Sequence, residues 1–300
     1  MYEQISRNKW KSAALIVFFV AFIFLLTWFF EYVTGWGKGG LVLAVVVAMG
    51  MAAVGYYASD KIVLGISRAR PVSKEEFPYL YNVVEGLAIA AGIPAPRCYV
   101  IEDTAPNAFA AGRKPETAVI CVTTGILEKL NRVELEGVIA HEMSHIKNYD
   151  VRLQTLVVVM AGIVALLSDW MLRSFMWGGG RRRGRGKSGS GGAEGILVLV
   201  GLALAILSPF IATIIQLAVS RKREFLADAS SAMLTRYPAG LASALRKISA
   251  DTEPLEAANK ATAHLYIVNP LKNLKGGGGV NRLFSTHPPI EERIAALEKM

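Results

Sequence analysis

The sequence predicts a mainly α-helical membrane protein with a small β-sheet, in which two apolar helical hairpins flank a water-compatible domain. Three observations lead there. Hydrophobic residues make up 53% of the 300 residues and charged residues only 19%, a more apolar balance than that of soluble domains. The apolar excess is gathered into four long blocks. Between and after the blocks, apolar residues recur mostly at helical spacing, with two short β-rich runs.

The blocks are 13–30, 40–58, 153–172 and 195–219. A spanning helix needs about 20 mostly apolar residues, and the first, second and fourth meet that length. The third carries Gln154, Ser168 and Asp169 and is the weakest, so a shorter or partly protein-covered helix fits it equally. The first lacks a small-residue cleavage site and reads as an uncleaved anchor. These blocks divide the chain into an N-terminal hairpin (1–59), a first water-compatible part (60–150), a second hairpin (151–219) with a Gly/Arg loop at 178–192, and a second water-compatible part (220–300).

Within the polar parts, Phe77, Leu80, Tyr81, Val84, Leu87, Ala88 and Ala91 form a helical stripe over 74–91 that Gly92 and Pro94 end. Residues 97–101 and 118–124 read as strands, with 107–111 a plausible edge between them. Helices resume over about 132–145, 220–234 and 239–249, and a last one follows Pro289.

Lys and Arg near span ends set orientation. Arg7, Lys9 and Lys11, then Lys61, Arg68, Arg70 and Lys74, and finally Arg221, Lys222 and Arg223 place both polar parts in the cytoplasm. The arginines of 173–194 violate the rule. The net charge of +9 suits anionic lipid better than nucleic acid, because the basic residues lie beside apolar blocks and form no aromatic-interleaved stripe. Cys98 and Cys121 form no CxxC pair and read as buried thiols.

The chemistry is concentrated in His141-Glu142-Met143-Ser144-His145. Histidines at i and i+4 lie on one face of a helix and can share a metal, while the intervening Glu can reach a water on it. A catalytic zinc site needs a third protein ligand and an open position. Glu224 and Asp228, one turn apart just after the fourth block, are both candidates. A hairpin made from the third and fourth blocks returns them to the membrane face where the His141 helix ends.

These residues resemble the membrane zinc metallopeptidases that include the HtpX heat-shock protease and, more distantly, the CAAX prenyl protease. The resemblance rests on His141 to His145, on Ser220-Arg-Lys-Arg-Glu-Phe-Leu-Ala-Asp228, on Asn107-Ala108-Phe109-Ala110 and on Ser285-Thr-His-Pro-Pro-Ile-Glu-Glu292. It implies a cytoplasmic, zincin-type (gluzincin-like) catalytic domain holding one Zn2+ on His141, His145 and Glu224, with Glu142 as general base. It makes Asp228 a carboxylate that orients a ligand histidine, and Asn107 to Ala110 the edge strand on which an extended substrate lies. It also suggests that His287 assists the transition state. Arg221 is a candidate partner for Asp228 or another carboxylate of the site. The implied substrates are damaged or misfolded membrane proteins of the plasma membrane, in quality control. A different class, a non-catalytic scaffold or transporter with a structural zinc, has no use for Glu142. Intramembrane cleavage fits poorly, since Glu134, Glu136, Lys147, Asn148 and Asp150 make the motif helix too polar for lipid.

Overall fold

The structure is a computed structural model, and it describes residues 2–34, 38–163, 221–258, 262–270 and 288–300. Two long helices open the chain, α1 (Tyr2–Thr34) and α2 (Lys38–Tyr57), and they pack along each other. Residues 5–25 within α1 are long and apolar enough to cross a membrane by length and composition. Exposed Val17, Phe18, Leu25, Trp28, Val42, Val46, Met49 and Val54 give the pair an outward apolar surface of the kind that suits lipid. On the other side Phe19 and Ile23 bury themselves against Leu156 and Met160.

After α3 (Ser59–Ile66) comes a four-stranded sheet in the order β1-β2-β4-β3. Its strands are β1 (Arg70–Pro71), β2 (Arg97–Ile101), β3 (Ala108–Ala111) and β4 (Val119–Thr123). β2 and β4 pair in parallel, and β3 lies antiparallel to β4 with Ala110 opposite Ile120. The two β-rich runs and the edge expected at 107–111 are therefore strands. The two-residue β1 carries no periodicity and is legible only through its pairing with β2.

The helix expected over 74–91 is α4 (Pro78–Ala91). Its start is later because proline disfavours helical geometry in the residue before it, and Phe77 is accordingly non-helical at φ −129° and ψ 64°. Its end is as expected. Gly92 takes φ 68°, and the amides of Gly92 and Ile93 return to the carbonyls of Ile89 and Ala88, the paired closing bonds of a Schellman motif.

The short α5 (Thr124–Lys129) leads to α6 (Arg132–Lys147), the motif helix. Asn131 caps it. The Asn131 side chain accepts from the Glu134 amide, and the Glu134 carboxylate accepts from the Asn131 amide, a capping box. Lys147 Nζ donates to Ala91 O at the end of α4. Helical residues 150–163 (α7) follow after a two-residue break; they carry the first part of the third apolar block, which is buried from Leu153 to Ala161. The remainder of that block, the whole fourth block and the Gly/Arg loop lie outside the described residues.

The chain is described again from α8 (Arg221–Thr235), then α9 (Pro238–Ala250) and α10 (Ile290–Leu297). One hydrophobic core joins α4, the sheet, α6, α9 and α10. α6 is its centre, with α4, α8, α9 and β3 packed on it. Contact with α9 is close because Gly137 has no side chain: a Cβ there would stand 2.7 Å from the Leu241 amide nitrogen and 2.9 Å from its Cα. Cys98 and Cys121 are both buried free thiols, and they serve different cores on opposite faces of the sheet.

Candidate active site

α6 presents His141 and His145 on one face, and α8 crosses it with Glu224 facing them. The two Nε2 atoms are 3.2 Å apart. Glu224 completes the triangle, with its two oxygens 3.7 Å from His141 Nε2 and 3.6 Å from His145 Nε2. All three residues are buried.

Each ring is turned by a different carboxylate. His141 Nδ1 is 2.9 Å from Asp228 Oδ1, and His145 Nδ1 is 3.1 Å from Asp150 Oδ2. A carboxylate only accepts, so each Nδ1 carries the proton and each Nε2 presents a lone pair to the centre. Two lone pairs and a carboxylate converging in a buried space call for a cation. Ligands about 2.0–2.1 Å from a tetrahedral zinc stand roughly 3.3–3.4 Å apart, close to the separations found. The donor set therefore fits Zn2+.

Asp150 was not singled out by the sequence. In an unbroken helix it would sit about 140° around the axis from His145, at 100° per residue. The break after α6 brings it back: Tyr149 adopts φ 60°, a left-handed conformation uncommon outside glycine. Asp150 Oδ1 accepts from Asn8 Nδ2 at 2.7 Å and from Arg223 Nη1 at 3.2 Å. Lys9 Nζ lies 4.5 Å over the Tyr149 ring.

Arg293 was missed too. Fully buried on α10, it donates from Nε and Nη2 to the two oxygens of Asp228 at 2.8 and 2.7 Å, and from Nη1 to Ile267 O at 3.1 Å. The guanidinium that donates to Asp228 is thus that of Arg293, while Arg221 is exposed at the start of α8. A signal was present: Arg293 lies on the stripe of Ile290, Ile294 and Leu297, where an arginine needs a buried anion. Burial would raise the Asp228 carboxyl, but Arg293 and His141 outweigh it and hold it below the ordinary range.

Glu142 is buried beside the three candidate ligands. Burial raises its carboxyl above the usual value, with Glu224 adding and the two histidines opposing, and a backbone hydrogen bond from Ala110 favours the ionised form. In His141, burial pulls downward, yet Asp228 and Glu224 carry the ring up to about 9. Proton and metal therefore compete for its Nε2.

The edge strand lies alongside. Ala108 to Ala111 are buried, Phe109 packs edge-on to Tyr266, and Asn107 Nδ2 donates to Val268 O. The Ile267 amide donates to Ala108 O, so the chain's own segment 262–268 covers part of this edge. His287 lies outside the described residues.

A sequence model described as "Peptidase family M48" matches residues 74–300. The "Protease HtpX homolog" of Dictyoglomus thermophilum is 51% identical over 299 residues, covering 100% of this chain and 94% of that one. That of Thermoanaerobacter pseudethanolicus is 46% identical over 300 residues, covering 100% and 98%. The crystal structure of S. mikatae Ste24p aligns at 20% identity with a TM-score of 0.46, over 99% of this chain and 66% of that one, a likeness too loose to carry an argument. Identity held from end to end at that level, with a family match over three quarters of the length, means that the chain belongs to peptidase family M48, as a membrane-bound zinc metalloprotease akin to the HtpX proteases.

Proposed function

We propose that this endopeptidase uses one Zn2+ on His141, His145 and Glu224 to cut cytoplasm-facing segments of misfolded or damaged membrane proteins. The observation that carries the reading is the buried convergence of two Nε2 atoms and one carboxylate next to Glu142. Zn2+ held there would polarise the scissile carbonyl and bring a water's pKa to about 7.

Every other part of the reaction belongs to side chains. Glu142 accepts the proton of the attacking water and returns it to the leaving amine, a double duty that suits a carboxyl raised by burial above its usual value. Asp228 and Asp150 keep the two rings in the tautomer that points Nε2 inward. Asn107 to Ala110 line up the substrate backbone by strand addition, with the substrate taking over the edge from Ile267. His287 steadies the developing oxyanion. The apolar hairpins hold this machinery at the cytoplasmic face of a multi-pass protein, within reach of membrane substrates.

The test separates metal binding from proton transfer. His145→Ala and Glu224→Ala should lose most bound zinc and all activity together. Glu142→Gln should keep near-stoichiometric zinc and lose roughly 100- to 10,000-fold in turnover of casein or of itself. Full activity in Glu142→Gln overturns the mechanism, and full zinc occupancy in Glu224→Ala reassigns the third ligand.

A further inference from the structure

We propose that Asn8, near the start of α1, is a positioning residue of the metal site and couples the docking of the N-terminal helix to zinc affinity. Asn8 is 2% exposed. Its amide nitrogen donates to Asp150 Oδ1 at 2.7 Å and to Asn148 O at 2.9 Å. Asp150 in turn holds His145 through its other oxygen, Oδ2, at 3.1 Å. A single side chain thus stands between α1 and a metal ligand, more than 130 residues away in sequence.

The reason Asn8 matters is the competition for Asp150. Arg223 reaches Oδ1 through Nη1 at 3.2 Å, and its Nη2 is buried with no hydrogen-bond partner among the described residues. Arginine prefers to grip a carboxylate with two nitrogens at once. Left to itself, Asp150 would turn to satisfy Nη2, and the oxygen that holds His145 would be drawn away. Asn8 prevents this. It occupies Oδ1 with the stronger bond, and its own Oδ1 lies 3.5 Å from Arg223 Nη1, which keeps the guanidinium to one side. Pulling α1 away removes that restraint and frees the His145 ring.

The inference rests on the zinc-protease reading, and its test uses the full chain in detergent with metal affinity as the readout. Asn8→Asp keeps the size of the side chain, loses both donors and sets a carboxylate against Asp150. Zinc affinity, measured by competition with a chromophoric chelator, should fall 10- to 100-fold, as loss of a partner outside the ligand set typically causes. The visible spectrum of the cobalt(II) form should shift with it. Phe19→Ala is the comparison, because Phe19 packs α1 on Leu156 and Met160 without touching the polar chain; it should lower the melting temperature and leave affinity and spectrum nearly unchanged. Coupling is reciprocal, so zinc should also slow amide exchange in residues 5–15 of the parent and do so less in Asn8→Asp. Parent-like affinity and spectrum in Asn8→Asp overturn the role of Asn8. So does an equal loss of affinity in Phe19→Ala protein whose α1 amides stay as protected as the parent's, because the Asn8 contacts would then still be in place. A parent that takes up no zinc overturns the protease reading itself.

Discussion

Arg293→Met should make the protein much less stable, whereas combining it with Asp228→Leu should restore the stability but not the metal site. In the parent, Arg293 is fully buried and meets both oxygens of Asp228 at 2.7 and 2.8 Å. Methionine fills much of the same volume, so the cavity cost is small and the change is chiefly electrostatic. Asp228, 0% exposed, keeps only His141 as partner, and an uncompensated buried charge costs about 3–5 kcal/mol. Burial already drives that carboxyl upward, and without Arg293 nothing of comparable strength opposes it. Replacing both partners by apolar side chains removes the stranded charge, and such swaps range from neutral to stabilising. Yet His141 then has no carboxylate on Nδ1, and zinc affinity should stay about 10- to 100-fold down. The assay is denaturation of chelator-treated protein in mild detergent, because bound zinc adds stability of its own, followed by metal competition on the same samples. A single variant as stable as the parent refutes the buried clamp. A double variant that binds zinc as tightly as the parent refutes the orienting role of Asp228.

Three further outcomes follow from the packing, the cap and the charge pattern. Gly137→Ala forces a methyl to within 2.7 Å of the Leu241 backbone and should cost roughly 1–3 kcal/mol in thermal unfolding, whereas Gly86→Ala on α4, which meets nothing within 4 Å, should be neutral or stabilising. Burial alone would raise the Glu134 carboxyl, but Lys247, Ser243 and the Asn131 amide hold it below its usual value. Its stabilisation is therefore present above the ordinary carboxyl range and lost as pH falls through the folded value; the gap in unfolding temperature between the parent and Glu134→Gln should be wide at pH 7 and close in acid. Cysteines placed at Ser73 and Ser249 should react with an impermeant maleimide only after cells are permeabilised, over a low background from the buried Cys98 and Cys121, and labelling of either from outside would reverse the orientation.

The histidine pair of the candidate metal site was legible because its spacing is local. His141 and His145 sit one helical turn apart, and the chemistry of HExxH needs nothing beyond that turn. Strands at 97–101 and 119–123 were legible for a similar reason, as was the closing turn at Gly92. The residues that hold the candidate ligands in place were not. Asp150 reaches His145 only through a left-handed Tyr149, and a tyrosine does not announce that conformation as glycine would. Arg223 and Arg221 are indistinguishable in the run Arg221-Lys222-Arg223; only the crossing of α8 over α6 decides which turns inward. Arg293 stands one residue beyond the Ser285 to Glu292 run that carries the resemblance, and its partner lies 65 positions away. Spacing reports neighbours on one element, while the outer partners of this site come from four different helices.

The centrality of α6 has a kinetic consequence. From Gly137 to Ile146 every residue is buried, so no face of this segment can open to solvent by itself. Amides there can exchange only when the elements packed around the helix come apart, at a free energy near that of unfolding the whole core. The turn that carries both histidines should then be the slowest-exchanging part of the catalytic domain, even after zinc has been removed. This protease keeps the histidine pair of its candidate metal site in the segment least able to become a substrate.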